Sequence, residues 1–456
     1  MGVETLQWGG RFSAAPDADL LQFGSSLSED LVLAAFDVQC SQAHVTALEQ
    51  GGVISTAIAA SLKQALFQVW DEIASGAFAI FAQSCAAEDI HGAIDQRVRT
   101  LCAGDSGEWL HAGRSRNDQV ATTLLLYVRD RARMAKETCL ALASHLLERA
   151  SAELSARSAL SAITHWQPAQ PILLAYWLEA VAEMIVRSAS RFAAVQKSAR
   201  QACPLGSAAV CGSTLPLDRS ASANELGFAA PSRNAMDAIG TRDVALDLLH
   251  GFSRALSDTA RVCTELIMWA TPAYGYIRLD DAASTGSSLM PQKRNPDPFE
   301  LVRAAAAVLN GSYSAAVASV SGIPLSYHRD LQETKALVLA GSEKGLGALR
   351  AFARAFKHIH FLTDKMAANA QTGFTIATDV ADSLVRDGLS PKRAHATVGE
   401  MVLHAEKSGA ENLKGIGDVA LDARGSIEAK QTIGSTNPAQ VAAAIAALRS
   451  EIEALS

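Results

Sequence analysis

Residues 117–154, NDQVATTLLLYVRDRARMAKETCLALASHLLERASAEL, decide what kind of fold this chain can adopt. The run contains no glycine and no proline. Its apolar positions include Val120, Leu124, Tyr127, Ala135, Cys139, Leu142, Leu146 and Ala150. They fall mostly three or four residues apart, the period of one helical face. At the rise of an α-helix the element is roughly 55 Å long. A helix of that length needs a bundle or a coiled-coil partner to cover its apolar side.

The same reading extends outward. Glycine is absent between Gly113 and Gly206, and only Pro168, Pro171 and Pro204 interrupt that stretch. A second long helix is expected from Pro171 to about Gln201 and a third from Thr241 to about Trp269. A fourth follows Pro296 and is expected to end near Asn310-Gly311. A fifth starts near Asp330 and continues to about Asn369, with weak points at Gly341, Gly345 and Gly347. Long helices in succession imply a mainly α-helical bundle. The flanks are shorter and more broken, so the expected division is 1–113, a central bundle over 114–365, and a small helical domain over 366–456. In the last part the breaks fall at Gly388-Leu389-Ser390-Pro391 and Gly415–Gly417.

Composition sets outer limits. Hydrophobic residues make up 49% of 456, enough for a large core, while aromatics are 6% and alanine is abundant, which favours helix over sheet. The net charge of −7 argues against a broad nucleic-acid surface but leaves room for a local basic pocket. The seven cysteines are odd in number and none are paired as C-x-x-C, the pattern of reduced, mostly buried thiols. The opening MGVETLQWGGRF lacks a basic segment followed by an apolar run, and no apolar stretch is long enough to span a membrane. A cytoplasmic protein is expected.

Four segments carry chemistry. Ser284-Thr285-Gly286-Ser287-Ser288-Leu289-Met290-Pro291-Gln292-Lys293-Arg294-Asn295-Pro296-Asp297 reads as a mobile Gly-Ser-Ser loop, a cation and a helix start with proline near its first position. Hydroxyl, lysine and helix N-terminus together suit removal of a proton from carbon beside a carboxylate and retention of the resulting anion. A flexible linker before a helix has the same composition. Gly113-Arg114-Ser115-Arg116-Asn117-Asp118-Gln119 brings guanidinium groups, an amide and a hydroxyl to a helix start, which suits a carboxylate and equally suits ordinary capping by Asn117 or Asp118. Thr164-His165-Trp166-Gln167 lies where the first long helix has ended and the second begins, with His165 as an acid or base near neutral pH or as a structural histidine. Glu300, one turn inside the fourth helix, is a candidate orienting carboxylate for it. Tyr327 to Lys335 opens the fifth helix, where Gln332 and Lys335 share a face. Asp89 and His91 make only a weak metal pair, and no nucleotide or flavin motif is present.

Taken in order, these segments resemble the argininosuccinate lyase family of the fumarase/aspartase superfamily. Trp8-Gly9-Gly10-Arg11-Phe12, Ser26-Leu27 with Asp30, Asp37, Ala43-His44, Glu88-Asp89-Ile90-His91, Gly113–Gln119, Thr164-His165, Leu205-Gly206-Ser207, the Ser287 loop, Asp330-Leu331-Gln332-Glu333 and Gly373-Phe374 with Ala377-Thr378-Asp379 follow the family's order. The Ser-Ser-x-Met-Pro-x-Lys-x-Asn-Pro core specifies only the superfamily. Gln292, Asp297, Gly113–Asp118 and Asp330–Glu333 narrow it. The chain departs from the pattern at Cys40, Ala162-Ile163, Trp166, Pro168, His328, Thr334 and the Ala175-Tyr176-Trp177 stretch. None of these removes a residue that the resemblance assigns to catalysis.

The resemblance implies a three-domain chain whose five long helices join a twenty-helix core in a homotetramer, with active sites shared between chains and no cofactor. It implies reversible β-elimination of argininosuccinate to L-arginine and fumarate, a step of arginine biosynthesis. Ser287 is then the base, Lys293 stabilises the developing anion with Asn295, and His165 oriented by Glu300 is the acid. Ser115, Arg116, Asn117 and Thr164 hold the fumarate-forming carboxylates. Ser26, Tyr327, Gln332 and Lys335 hold the arginine part. Spacing alone does not separate Ser287 from Ser288. Another lyase of the superfamily, such as adenylosuccinate lyase, and a structural protein akin to δ-crystallin are the alternatives.

Overall fold

The computed structural model describes residues 17–415 and 421–456. The Trp8–Phe12 segment, and part of the expected Gly415–Gly417 break, lie outside them. The chain is mainly α-helical, as its alanine-rich, breaker-poor sequence requires. The five long helices are Arg116–Ala156, Leu174–Ser198, Asp243–Ala270, Asp297–Val320 and Leu331–Lys357. The first has 41 residues and is roughly 60 Å long.

Two of these helices differ from the sequence expectation. The fourth runs through Asn310-Gly311 to Val320. One glycine costs a helix only about 1 kcal/mol relative to alanine, and the surrounding alanine-rich turns absorb it. The fifth ends at Lys357 rather than near Asn369, because Ile359–Phe361 leaves the helix to pair antiparallel with Ile277–Leu279. A separate helix, Thr363–Ala370, follows. The expected weak points at Gly341, Gly345 and Gly347 do not break the fifth helix. A Cβ at Gly341 would lie 2.4 Å from Leu249 Cδ1, and one at Gly345 would lie 2.5 Å from Phe252 Cδ1. Both glycines are sites of close helix packing.

The described residues form two compact units. One comprises residues up to Arg133, with Ala194–His250 and Leu309–Glu343. Its core includes Cys40, Ala43, Leu126, Cys203, Leu205, Ala223, Leu226 and Phe228, and the buried Tyr127 ring meets Phe36 edge-on at 5.8 Å. The other comprises Met134–Ala193, Gly251–Val308 and the described residues from Lys344 onward. Its core is aromatic: Phe192 packs on Phe252 at 4.9 Å, Trp177 on Trp269 at 4.6 Å, and Phe352 on Phe356 at 5.8 Å. Near the C-terminus a smaller cluster of Ile376, Val380, Val398, Ala405 and Leu413 joins the helices Ala377–Arg386 and Pro391–Lys407. Among the described residues, no single helix is long and apolar enough to cross a membrane.

The close approach at Gly345 sets a test of packing. Gly345→Ala must displace the Phe252 ring and should lower stability by about 1–3 kcal/mol. Gly347→Ala on the same helix meets no atom within 4 Å and should be neutral or mildly stabilising. Thermal melts at one protein concentration compare them. Equal melting temperatures for the two variants would contradict this packing.

Candidate active site

The first unit gathers one set of polar side chains around the start of the first long helix. Asp118, buried in the first turn, accepts from the Ser115 N–H at 3.1 Å, which caps the helix. Its other oxygen accepts from the N–H groups of Gly206 and Ala208 at 2.9 and 2.8 Å. The Leu205-Gly206-Ser207 segment is thereby docked beside the helix start. Burial pushes the Asp118 carboxyl up to about 6 even though these N–H groups and Arg114 pull the other way. Asn117 donates from Nδ2 to Ala209 O at 2.9 Å. Arg116 pairs with Asp89 at 3.0 Å and donates to Gln119 at 2.7 Å, which fixes the plane of its guanidinium. Its fork geometry suits a carboxylate.

Behind this turn lies a buried network. Asp37 accepts from His91 Nδ1 at 2.7 Å, from Gln119 Nε2 at 2.9 Å and from Thr123 Oγ1 at 3.2 Å. Burial by itself would raise the Asp37 carboxyl. His91, Arg114 and Gln119 outweigh it and bring it down to about 2. Asp89 is committed to Arg116 and to the Gly92 N–H, and His91 to Asp37. These residues brace the helix start. Sequence reasoning named them without finding that role, because partners from three separate segments converge only in the fold.

The same unit holds the fifth helix's first turns. Lys335 is buried and pairs with buried Asp30 at 2.6 Å. Ser26 donates to Asp30 at 2.7 Å and accepts from Lys335 at 3.1 Å. The Ser26 N–H donates to Glu88 O at 2.9 Å, so the Glu88-Asp89 segment steadies both Ser26 and Arg116. Gln332 donates to Gly24 O at 3.2 Å. Tyr327 is half-buried, and burial raises its hydroxyl pKa against the pull of Arg242 and Arg329.

The second unit holds the other set. Here the structure corrects the reading of residues 159–173 as a link between helices. They form an antiparallel hairpin, Ala159–Thr164 with Gln167–Leu173, whose two-residue turn is His165-Trp166. Both turn residues have positive φ, 53° and 64°, the conformation of a type I′ turn. Side chains other than glycine, asparagine and aspartate seldom occupy it, and holding them there stores strain. Thr164 and His165 are exposed at this tip.

The Gly-Ser-Ser loop is closed at its neck. Thr285 and Asn295 exchange backbone hydrogen bonds of 3.2 and 2.8 Å. The Thr285 hydroxyl binds Asp297, and Asn295 Nδ2 donates to Thr285 Oγ1 at 3.3 Å. Arg294 ties the loop to Asp281 at 2.8 Å. Within the loop, Ser287 Oγ accepts from the N–H groups of Leu289 and Met290 at 3.2 and 3.0 Å. Ser288 and Lys293 are exposed. Glu300 is exposed on the fourth helix, and no hydrogen bond or ion pair joins it to His165 among the described residues.

The candidate residues therefore divide. Ser26, Ser115, Arg116, Asn117, Tyr327, Gln332 and Lys335 belong to one unit. Thr164, His165, Ser287, Lys293, Asn295 and Glu300 belong to the other.

Residues 10–311 match the Lyase family, and residues 374–436 match the family of argininosuccinate lyase C-terminal domains. An argininosuccinate lyase of Desulfovibrio desulfuricans is 40% identical, over 97% of this chain and 96% of that one. One of Leifsonia xyli subsp. xyli is 38% identical, over 98% and 96%. The chain belongs to the argininosuccinate lyase family, and it is a lyase. Among solved structures, an EDDS lyase in complex with formate shares the fold with a TM-score of 0.78 at 23% identity, covering 97% of this chain and 91% of that one. A 3-carboxy-cis,cis-muconate lactonizing enzyme from Pseudomonas putida aligns with a TM-score of 0.71 at 17% identity, covering 96% and 98%. The mainly α fold is thus shared with lyases and with a lactonizing enzyme.

The Asp37 network sets an acid limit on this family member. Asp37 titrates near 3.8 when unfolded and about 2 when folded, so its stabilising contribution is complete above pH 4. That contribution is lost as the pH falls from about 4 to 2. Asp37→Asn abolishes the titration, so its melting temperature should depend less on pH across that window than the wild type's. Equal slopes would remove Asp37 from the acid response.

Proposed function

We propose that this lyase cleaves argininosuccinate reversibly to L-arginine and fumarate, in the cytoplasm and as a step of arginine biosynthesis. The observation that carries the chemistry is the pair of backbone N–H groups held on Ser287 Oγ. An unassisted serine is a poor base. Two donors aimed at its oxygen stabilise the alkoxide and let it take the Cβ proton. Among the described residues no such pair is aimed at Ser288, which favours Ser287 as the base. The full-length similarity to argininosuccinate lyases supports the substrate. A variant of the EDDS lyase was solved with bound fumarate.

The remaining roles follow from charge development. As the proton leaves, the neighbouring carboxylate gains a second negative charge. Lys293, six residues beyond the base and free to move with the loop, meets that charge only then, which is where binding energy accelerates the step. Asn295 supports it from the neck. His165, presented at the hairpin tip and oriented by Glu300, protonates the departing guanidino nitrogen. Thr164, Ser115, Arg116 and Asn117 hold the fumarate-forming carboxylates, and Tyr327, Gln332, Lys335 and Ser26 the arginine part.

The site is proposed to assemble from several chains of a homotetramer, each with three domains at 1–113, 114–365 and 366–456. Asn117 stands in the first turn of a 41-residue helix, and His165 follows its far end. A straight helix of that length is roughly 60 Å long, far more than a small substrate spans. Antiparallel neighbours in a symmetric oligomer can bring one chain's start to another's end. The same arrangement lets Glu300 reach a partner's His165.

The decisive assay incubates the protein with argininosuccinate, adenylosuccinate, aspartate and malate and identifies the products. Arginine and fumarate are expected from the first alone. Turnover of another substrate instead would assign a different superfamily lyase, and no turnover at all a structural role. Ser287→Ala should lower kcat about 100- to 10,000-fold, the range of a lost general base, with normal assembly. A near-normal kcat would move the base elsewhere.

A mixture tests the shared site. Ser287→Ala and His165→Ala chains, each inactive alone, are co-refolded in equal amounts. Random assembly leaves about one quarter of sites with both residues intact. Confirmed hybrids with no activity above either parent would defeat this arrangement.

A further inference from the structure

Tyr327 stands on an unusual support. The residue before it, Ser326, has a φ of +87°, a left-handed conformation that a serine rarely adopts. The backbone of Gly240 packs directly against this bend. A Cβ at position 240 would lie 2.7 Å from Ser326 O and 3.0 Å from Ser326 N, so no side chain fits there. Two residues later comes Arg242, which is only 5% exposed. Its Nη1 donates to Ile239 O at 3.1 Å and to Thr241 O at 2.7 Å, closing the end of the short helix Ala235–Gly240. Its Nε and Nη2 are buried without a hydrogen-bond partner among the described residues. Its guanidinium carbon lies 5.9 Å from the centroid of the Tyr327 ring.

A buried cation with two unpaired donors is costly, and burial brings the Arg242 pKa down to about 10. Helix closure needs only Nη1, a bond that a neutral donor could make. What a neutral donor could not supply is attraction for the negative face of the phenol ring. We infer that Arg242, with Gly240 clearing room for the Ser326 bend, is a positioning residue that sets the orientation of Tyr327. The cation also favours release of the phenolic proton toward an acceptor, since it opposes the effect of burial on that hydroxyl. Arg242 thus acts on recognition of the arginine part of the substrate, through Tyr327 and without touching the substrate itself. This rests on the assignment of Tyr327 to that part.

Kinetics and spectroscopy together test it. Arg242→Met should raise KM roughly tenfold while kcat stays within about twofold, the scale of a desolvated cation–π contact. Arg242→Lys should recover part of the loss. In a Tyr327→Ala background the Arg242→Met effect should shrink below about twofold, since residues acting through one another are not additive. Gly240→Ala should behave like Arg242→Met in both backgrounds, which keeps the test available if one variant folds poorly. Additive losses, or an unchanged KM in folded Arg242→Met and Gly240→Ala, would overturn the inference. A substrate-free readout separates it from the assignment of function. In fluorotyrosine-labelled protein, Tyr327→Phe identifies the Tyr327 resonance among the six tyrosines. Arg242→Met should shift that resonance and Arg242→Lys should bring it part-way back. An unmoved resonance refutes the support, whereas a moved resonance in a protein that does not turn over argininosuccinate upholds it and refutes only the proposed reaction.

Discussion

An unbroken helix pairs all of its interior backbone groups, and that constraint organises this molecule. Only the ends of a helix have free N–H and C=O groups to offer. Long helices therefore push chemistry to their ends and to the segments that join them. Ser115, Arg116 and Asn117 open the first long helix. The His165 turn lies between the first and the second, the Ser287 loop precedes the fourth, and Tyr327 with Gln332 sits at the start of the fifth. Length supplies rigidity as well. Within each unit the helices pack through aromatic rings or through glycines such as Gly341 and Gly345 in the interior of the fifth helix.

Charge is handled differently in the two sets of candidate residues. In the first unit the polar groups are paired: buried Lys335 with Asp30, buried Asp37 with His91, and half-buried Arg116 with Asp89. Buried pairs of this kind are weak sources of stability. Here they act on geometry, since each joins segments far apart in the chain and holds a polar group in one orientation. In the second unit His165 is exposed on a hairpin tip and Lys293 on the loop, while Ser287 in that loop is half-buried.

Much of the architecture was legible in the chain. Breaker-free runs with a three-to-four period located all five long helices, because helix formation depends on local spacing and composition. The order of the Gly113–Gln119, Thr164-His165, Ser287 and Asp330–Glu333 segments disclosed the family. The ends were less legible. Gly311 looked like a terminator, but a single glycine costs a helix only about 1 kcal/mol relative to alanine. Gly341 and Gly345 looked like weak points, yet what they supply is proximity to Leu249 and Phe252, partners nearly a hundred residues away.

The hairpin at 159–173 was hidden for a physical reason. Prolines at 168 and 171 argue against a strand, and histidine and tryptophan argue against a type I′ turn. Packing of the flanking segments overrides both preferences. Asp118 carried a local signal as a cap, whereas its hold on Gly206 and Ala208, the Asp37 network and the Arg242–Tyr327 contact join residues far apart in the chain. By itself the sequence determined the helices and the family, since those depend on spacing and residue type. Tertiary structure alone decided which segments meet at Asp37 and which cation lies beneath Tyr327. It also decided which strained turn presents His165. Such contacts join residues whose separation along the chain says nothing of their separation in space.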